Sequence, residues 1–340
     1  MQKIQYHPFL RRSSIPKIKN YLRLKSEYRN KVSVLTSYPY IAIIDPTNIC
    51  NLQCPGCPTG QNRHTSQGLM NVETFKKIIN ELGPYLYEVW LYNWGEPFIN
   101  NNIFDMIAIA EKANISTTIS TNLNHFPDGY AKQLVDARLE RLVVSFDGFT
   151  QNSYSAYRKG GDLNKVKNNI SQIMAEKKRQ KSILPLIKLQ FLVNRFNEHE
   201  IQEAKSYANA LGIDIEFKNF MYNAKNPVLR NKWQSTLKQY QHYNEAGNDV
   251  NLQKYLCSWL WLFTVINWNG TINPCCNWFE RGKFMFGDLK AQSFKDIWNN
   301  ELFVSARKKI AGNESTPVTA CHSCLGVPPV FDGTIIETSR

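Results

Sequence analysis

The sequence predicts an α/β protein with an open barrel of six β-strand–helix units and a smaller module after it. Short apolar strands alternate with helical stretches between residues 40 and 218, which is typical of parallel βα units. From residue 257 the pattern changes to an aromatic apolar run, an Asn-Gly turn and a second short run, which predicts a β-hairpin with a two-residue turn. Apolar residues make up 43% of the 340 residues, enough for a substantial core.

The barrel strands are recognised by short runs rich in β-branched and other apolar residues. They are predicted at residues 40–45, 88–93, 115–121, 141–147, 186–193 and 213–218. Helices are predicted between them at residues 72–82, 102–113, 128–137, 163–180 and 198–211. Six such units suit a partial (β/α)6 barrel, in which functional groups gather at the carboxyl ends of the strands.

Residues 1–38 form a basic segment ahead of the barrel. Residues 1–35 carry nine Lys or Arg and one Glu, so nine minus one gives +8 of the chain's net +13. Such charge attracts an anionic membrane surface, a nucleic acid or a phosphorylated substrate. Ile15, Ile18 and Leu22 fall at helical spacing. They predict either an interfacial helix in peripheral membrane contact or a helix whose apolar face packs on the barrel while its charges stay in water.

The eight cysteines predict metal chemistry rather than disulfides. No apolar run approaches the length of a membrane span and no signal-peptide core is visible, so we expect a cytoplasmic protein with reduced thiols. Three cysteines lie near the start and five in the last quarter. This grouping indicates two metal or cluster sites.

The first group is a CxxxCxxC loop, Cys50, Cys54 and Cys57, directly after the first predicted strand. Three thiolates can hold three irons of a [4Fe–4S] cluster, whereas a closed cluster or a structural zinc takes four ligands. The loop therefore predicts a cluster with one open iron, where a molecule with an amino and a carboxylate group can chelate. A structural metal knot is the alternative.

This loop resembles the signature of the radical S-adenosylmethionine (SAM) superfamily. After the second predicted strand, Trp94-Gly95-Glu96-Pro97 resembles the family's GGEP motif, with a tryptophan in place of its first glycine. After the third, Thr121-Asn122 resembles the TN(G) element near the ribose, with Leu123 in place of the glycine. An ordinary strand-to-helix turn is the alternative for the first match.

Two further elements resemble the SPASM and twitch branch of this superfamily. Ser145-Phe146-Asp147-Gly148 follows the fourth strand and matches SxDG, and Arg158 matches an arginine that binds the SAM carboxylate in relatives. The resemblance implies a TIM-like barrel over residues 39–220. It also implies SAM binding by Gly95, Glu96, Pro97, Ser120, Asn122, Ser145, Asp147 and Arg158.

The second cysteine group resembles a SPASM or twitch module over residues 257–326. A linker at 221–256, with a helix near 229–243, precedes the module; a helix near 293–309 lies within it, and residues 327–340 form a tail. The resemblance implies one closed auxiliary [4Fe–4S] cluster, and a four-cysteine zinc site is the alternative. Its four ligands would be Cys257, Cys275, Cys321 and Cys324.

Cys276 is left over beside Cys275. It can pack as a small buried residue, replace Cys275 as a ligand, or give a hydrogen atom to a substrate radical, as in some SPASM-type epimerases. Tyr92, Lys188, Gln190 and Asn194 are candidates for substrate contacts because alternate strand residues point into a barrel. The alternative places these polar residues outward, under a helix.

The resemblance implies an enzyme with two [4Fe–4S] clusters. A reduced cluster cleaves SAM, and the 5′-deoxyadenosyl radical takes a hydrogen atom from the substrate; flavodoxin or ferredoxin would supply the electron. We expect oxidation (dehydrogenation) or epimerisation of a small, polar, anionic molecule such as a sugar, a cyclitol or a phosphorylated or lipid-linked precursor. A peptide-modifying maturase or epimerase is the alternative. The ordered motifs argue against a nucleic-acid-binding cluster protein, so no nucleic acid partner is expected.

Overall fold

A computed structural model describes residues 11–55, 57–62, 64, 66–220, 227–241, 257–276, 285–314 and 316–322. Its centre is a single sheet of nine strands. The strands are β1 (Ile41–Ile44), β2 (Glu88–Trp90), β3 (Ser116–Thr121), β4 (Arg141–Ser145), β5 (Leu186–Val193), β6 (Asp214–Asn219), β7 (Phe263–Ile266), β8 (Thr271–Asn273) and β9 (Gly287–Asp288). The predicted α/β fold with six parallel barrel strands is confirmed, and the sheet is open, with the order β6-β5-β4-β3-β2-β1-β7-β8-β9.

The helices follow the strands in the predicted rhythm. They are α1 (Ile15–Arg29), α2 (Val72–Leu82), α3 (Ile103–Lys112), α4 (Tyr130–Asp136), α5 (Gln151–Tyr157), α6 (Leu163–Arg179), α7 (Ile201–Leu211), α8 (Pro227–Trp233), α9 (Trp259–Leu262), α10 (Phe294–Trp298) and α11 (Glu301–Ile310). Five of them, α2, α3, α4, α6 and α7, confirm the five barrel helices predicted from the sequence. Within the described residues, no helix has the length and apolar content required to cross a bilayer.

Two predicted helices are wrong in extent. The helix near 229–243 is the shorter α8, followed by a separate 3₁₀ turn at Lys238–Tyr240. The helix near 293–309 is two helices, α10 and α11. The break occurs because Asn300 adopts extended backbone geometry, and its side chain accepts a hydrogen bond from the Phe303 N–H, which caps α11.

The second module joins the barrel sheet directly. Strand β7 pairs in parallel with β1, with Ala42 opposite Thr264, while β8 pairs antiparallel with β7. The predicted hairpin is confirmed, but its turn has three residues rather than two: the Asn267 N–H donates to the Thr271 carbonyl, and Gly270 alone has a positive φ, of 89°. Through the β7–β1 pairing, the second module continues the barrel sheet.

Helix α1 lies across the amino ends of the barrel strands. Its Lys17 ammonium donates to the Asn114 carbonyl before β3 over 2.6 Å, and Asn20 bonds both the N–H and the C=O of Tyr38 before β1. Burial lowers the pKa of Lys17 to about 8. By contrast, Ile15, Ile18 and Leu22 are 70%, 42% and 64% exposed. The alternative in which these three residues pack on the barrel is therefore wrong, because the inner face of α1 is formed by Lys17, Asn20, Leu24 and Tyr28 instead.

A buried ion cluster fixes the start of this segment to the barrel. Arg12 is 5% exposed and donates to Glu140 over 2.9 Å and to Glu111 over 2.5 Å. Glu140, directly before β4, has no solvent exposure. Removing a single partner from such a buried cluster leaves an uncompensated charge, which costs more than the pair itself contributes.

We predict that Arg12→Ala lowers the free energy of unfolding by about 3 kcal/mol, because Glu140 then stays buried without its cation. Urea unfolding of anaerobically purified protein measures this. The matched control is Arg23→Ala, an exposed arginine of the same segment, which should change stability by less than about 0.5 kcal/mol. Equal losses in the two variants would contradict the role given to the cluster.

Candidate active site

One cavity of about 370 Å³ collects the loops that follow the barrel strands. We call it the cysteine cavity. Its lining combines the first cysteine group, most of the predicted SAM-binding residues and one residue of the second module. From these groups the lining includes Cys50, Cys54, Cys57, Gly95, Glu96, Ser120, Asn122, Ser145, Arg158 and Cys276, and it also includes Trp90, Tyr92, Trp94, Gln190 and Lys218. A second cavity of about 500 Å³, beside Arg195 and Arg230, contains none of the predicted site residues.

The three cysteines of the first loop share one wall of this cavity. Cys54 is 5% exposed, while Cys50 and Cys57 are half-buried. Burial raises the pKa of the Cys50 thiol to about 12 and also raises the pKa of Cys54. Without metal, the Cys50 and Cys54 thiols are therefore protonated near neutral pH, and iron binding would have to displace their protons.

The donor set fits a [4Fe–4S] cluster with three protein ligands. The loop supplies three thiols, and Asn122 and Arg158 point donors at two of the sulfurs, with Asn122 Nδ2 3.6 Å from Cys50 Sγ and Arg158 Nη1 3.8 Å from Cys54 Sγ. Such donors stabilise thiolate charge. Among the described residues, no three His, Cys, Asp or Glu side chains form a preformed metal site.

The loop after β2 approaches the cysteine loop at backbone contact. The Glu96 N–H donates to the Ile49 carbonyl over 2.8 Å, and a Cβ on Gly95 would overlap the Thr47 carbonyl oxygen. Only glycine is tolerated at such an approach. Pro97 does not line the cavity and begins a short 3₁₀ turn, Pro97–Ile99.

Glu96 links the loops after β2 and β3. It is 1% exposed and accepts hydrogen bonds from Thr121 Oγ1 over 2.6 Å and from the Asn122 N–H over 2.7 Å. Burial raises the pKa of its carboxyl to about 7, although these hydrogen bonds oppose the shift. The carboxyl therefore fixes the predicted ribose loop as well as lining the cavity.

The residue after Asn122 keeps a glycine-like backbone without being glycine. Leu123 has a φ of 53°, in the left-handed region, and is fully buried. A leucine in that region costs about 1 kcal/mol relative to glycine. The side-chain amide of the neighbouring Asn122 donates to Asn51 Oδ1 over 3.0 Å, and this hydrogen bond links the loop to the cysteine loop.

Asp147 and Arg158 form a buried ion pair at the edge of the cavity. Arg158 Nε lies 2.5 Å from Asp147 Oδ2, and Asp147 Oδ1 accepts the Leu192 N–H over 2.7 Å. Burial alone would lower the pKa of Arg158, but the Asp147 carboxylate raises it well above its ordinary value. Asp147 is fully buried and does not line the cavity, so it orients the arginine rather than facing a ligand.

The predicted substrate contacts divide into two groups. Tyr92 and Gln190 line the cavity, and the ring of Tyr92 stacks on Trp90 with centroids 6.0 Å apart. Lys188 shares a face with Gln190 but does not line the cavity, and its ammonium lies 3.4 Å from Glu216. Asn194 is 1% exposed and bonds within the turn after β5.

Sequence reasoning missed Lys218, which lines the cavity where Lys188 was expected to do so. Its ammonium donates to Gln190 Oε1 over 3.0 Å and lies 3.5 Å from Glu216. Lys218 ends the strand predicted at 213–218. Period-two alternation from Glu216, with the carboxyl end of the strand as the active edge, could have identified it.

The adjacent cysteines of the second module occupy different surroundings. Cys276 lines the cysteine cavity, and burial raises the pKa of its thiol to about 12. Cys275 and Cys321 are buried in the main core, with half-buried Cys257 packed against that core. Cys324 lies outside the described residues. Cys276 packs against the same core, and of the two adjacent cysteines only Cys276 lines the cavity.

Sequence comparison identifies two families in the chain. Residues 44–208 match the profile of the radical SAM superfamily, and residues 257–325 match that of the SPASM iron–sulfur cluster-binding domain. Among curated proteins, a probable GTP 3′,8-cyclase from Methanococcus maripaludis is 24% identical over 172 residues, and a GTP 3′,8-cyclase from Alkaliphilus metalliredigens is 24% identical over 181 residues. These alignments cover 51% and 52% of this chain but only 56% and 55% of the relatives.

Structure comparison finds the same architecture. Streptococcus suis SuiB bound to S-adenosylmethionine matches with a TM-score of 0.62 and 13% identity, over 85% of this chain and 71% of that one. The structure of anSMEcpe with bound AdoMet matches with a TM-score of 0.54 and 16% identity, over 84% of this chain and 86% of that one. At such identities the likeness shows the fold alone.

We predict that Glu96→Gln removes a pH dependence of stability. Because the pKa is raised from 4.5 to about 7 in the folded protein, the unfolded chain releases this proton first. Folding stability therefore falls by up to about 3 kcal/mol as the pH rises from about 4.5 to about 7, and the wild type should show this fall.

Urea unfolding of anaerobically purified protein across that pH range measures the difference between wild type and variant. Glu96→Gln should lack the fall, apart from a constant loss for its missing hydrogen bond, whereas the exposed Glu73→Gln should retain it. Parallel pH profiles for wild type and Glu96→Gln would contradict a raised Glu96 pKa.

Proposed function

The chain belongs to the radical SAM superfamily and carries a SPASM domain. We propose that it abstracts hydrogen from a small, polar, anionic substrate to give an oxidised or epimerised product. One observation carries the proposal: a single cavity is lined by the three-cysteine loop, by residues from the ends of β2, β3 and β4, and by Cys276 of the second module. Cofactor residues and candidate substrate residues thus face the same space.

The proposed cofactor site uses residues already gathered by the fold. Cys50, Cys54 and Cys57 would hold the SAM-binding [4Fe–4S] cluster, which together with SAM supplies a 5′-deoxyadenosyl radical when bound. Arg158, held by Asp147, would pair with the SAM carboxylate. The Glu96-linked loops would position the remainder of SAM, through Gly95, Ser120, Asn122 and Ser145.

A single auxiliary [4Fe–4S] cluster is proposed for the second module. Cys257, Cys275, Cys321 and Cys324 would be its ligands, since four thiolates close a cluster. The burial of Cys275 and Cys321 in the core supports this assignment, as does the position of Cys276 in the lining of the cysteine cavity. A flavodoxin or ferredoxin would supply the reducing electron.

The cavity lining supports an anionic substrate with an apolar face. Lys218 supplies a cation beside Gln190, and Trp90 with Tyr92 supplies a stacked aromatic wall. Aromatic rings pack against the C–H face of a sugar or cyclitol, and an ammonium binds phosphate or carboxylate. The curated relatives named GTP 3′,8-cyclase bear the name of an anionic small-molecule substrate, which agrees with this choice.

A peptide substrate is the second candidate. SuiB has been solved bound to the precursor peptide SuiA, and that structure matches this chain with a TM-score of 0.57. On this alternative, the chain would be a peptide-modifying maturase or epimerase that uses the same cavity.

The proposal predicts that dithionite-reduced, cluster-loaded protein forms 5′-deoxyadenosine from SAM. Adding phosphorylated sugars and cyclitols in one series and peptides in another, and asking which raises this turnover, identifies the substrate class.

The matched pair Lys218→Met and Lys188→Met tests the anion site, because these lysines lie on neighbouring strands and only Lys218 lines the cavity. Lys218→Met should raise KM about tenfold for an anionic substrate, which is the loss of one charge-assisted contact.

Failure to form 5′-deoxyadenosine would refute radical SAM activity. Stimulation by peptides alone would refute the small-molecule substrate. Equal KM values for the two lysine variants would remove Lys218 from substrate binding.

Cys276 is proposed as the hydrogen-atom donor if the reaction is an epimerisation. The wild-type enzyme in deuterated water should then place one solvent-derived deuterium in the product, because a thiol exchanges its hydrogen with solvent. Cys276→Ala should lose that label while still forming 5′-deoxyadenosine. Mass spectrometry of the product measures the label, and label retained in Cys276→Ala would exclude this role.

A further inference from the structure

The outer face of α1 presents apolar and basic side chains to solvent. We define this outer face by Ile15, Ile18, Lys19, Leu22 and Arg23, all of which are exposed. Ile15 and Leu22 are each more than three-fifths exposed, at 70% and 64%. Aliphatic residues at positions i, i+3 and i+7 of one helix form a continuous stripe on its surface.

The aliphatic stripe points away from the barrel, because the other face of α1 already packs on it. The opposite side of α1 is fully engaged: Leu24 and Tyr28 are buried, Lys17 and Asn20 bond backbone groups ahead of the strands, and Tyr21 packs edge-to-face on Tyr40 at 5.3 Å. These contacts hold the helix in one rotational setting. The aliphatic stripe is therefore presented outward by a rigid support.

The charge around the stripe has a single sign. Arg11, Lys19, Arg23, Arg29 and Lys31 are all exposed. Within the described part of the chain, Lys19, Arg23 and Arg29 form no ion pair with a carboxylate. The one acidic residue of α1, Glu27, turns away and accepts hydrogen bonds from Thr36 and Ser37.

We propose that the outer face of α1 binds an anionic lipid bilayer, with its aliphatic stripe inserted among the acyl chains and its basic side chains on the headgroups. An anionic bilayer matches both features, because it offers negative charge in the plane and apolar depth beneath it. A second copy of the chain is the poorer match, since it would bring two sets of like charges together.

The binding geometry determines how the enzyme faces the membrane. Helix α1 spans the amino ends of the barrel strands, with contacts ahead of β1 and β3 through Tyr38 and Asn114. The cysteine cavity lies at the carboxyl ends of these strands, at the opposite edge of the sheet. A protein bound through α1 therefore opens its cavity away from the bilayer, so its substrate arrives from the aqueous phase.

The test is flotation of the full, cluster-loaded chain with vesicles of phosphatidylcholine alone or with about 30 mol% phosphatidylglycerol. The wild type should float with the anionic vesicles only and be released by about 0.5 M salt. Ile15→Asn/Ile18→Asn/Leu22→Asn and Lys19→Glu/Arg23→Glu should each bind at least about tenfold more weakly.

Matched controls use the same substitutions elsewhere on the surface. Ile183→Asn alters an isoleucine that is 66% exposed, and Lys165→Glu/Lys178→Glu reverses two exposed lysines of α6. Both should float like the wild type. A urea unfolding midpoint unchanged from that of the wild type shows that each variant is folded, and this check does not depend on SAM cleavage.

Three results would overturn the proposal. They are equal flotation of wild type with neutral and anionic vesicles, undiminished flotation of the stripe variant, and a wild-type dimer that the stripe variant dissociates while neither protein binds vesicles. The last result would assign the outer face to a second copy. None of these results bears on SAM cleavage, so this proposal and the proposed function can fail separately.

Discussion

The parallel direction of strands β1 to β7 is the constraint on which the rest of the structure depends. Parallel strands bring all their carboxyl ends to one edge of the sheet, so loops far apart in sequence meet there. The pairing of β7 with β1 extends this edge into the second module. Cys276, which follows the antiparallel strand β8, lines the same cavity as Cys50, although 226 positions separate the two in the numbering.

Burial imposes a second requirement, because each polar group at this edge needs a partner. Asp147 pairs with Arg158, and Glu96 accepts hydrogen bonds from Thr121 and Asn122. The residues of one motif are thus fixed by those of another. The carboxylates of the site thus act mainly as internal supports. Besides the Glu96 carboxyl, the cavity is lined by thiols, hydroxyls, amides, an arginine, a lysine, and aromatic and aliphatic side chains. The two cations suit a cofactor with a carboxylate and a substrate with negative charge.

Much of this arrangement could be predicted from the sequence, because it depends on local patterns. The six barrel strands alternate regularly with helices, and the cysteine loop and its companion motifs each follow a predicted strand. The Asn269-Gly270 turn likewise predicted the hairpin. Features that depend on distant contacts were not predictable: the β7–β1 pairing and the inner face of α1 around Lys17. Each of these is decided by which neighbour a residue meets after folding, and local periodicity contains no information on that.

The central claim is that the three-cysteine loop holds a cluster whose open iron binds SAM directly. Electron–nuclear double resonance on the reduced protein, with SAM isotopically labelled at its amino nitrogen and carboxylate oxygens, tests this claim most directly. The account predicts hyperfine coupling from both labels to the cluster in the wild type, and its loss in Cys50→Ala. A reduced wild-type cluster that shows no coupling to either label in the presence of saturating SAM would contradict it.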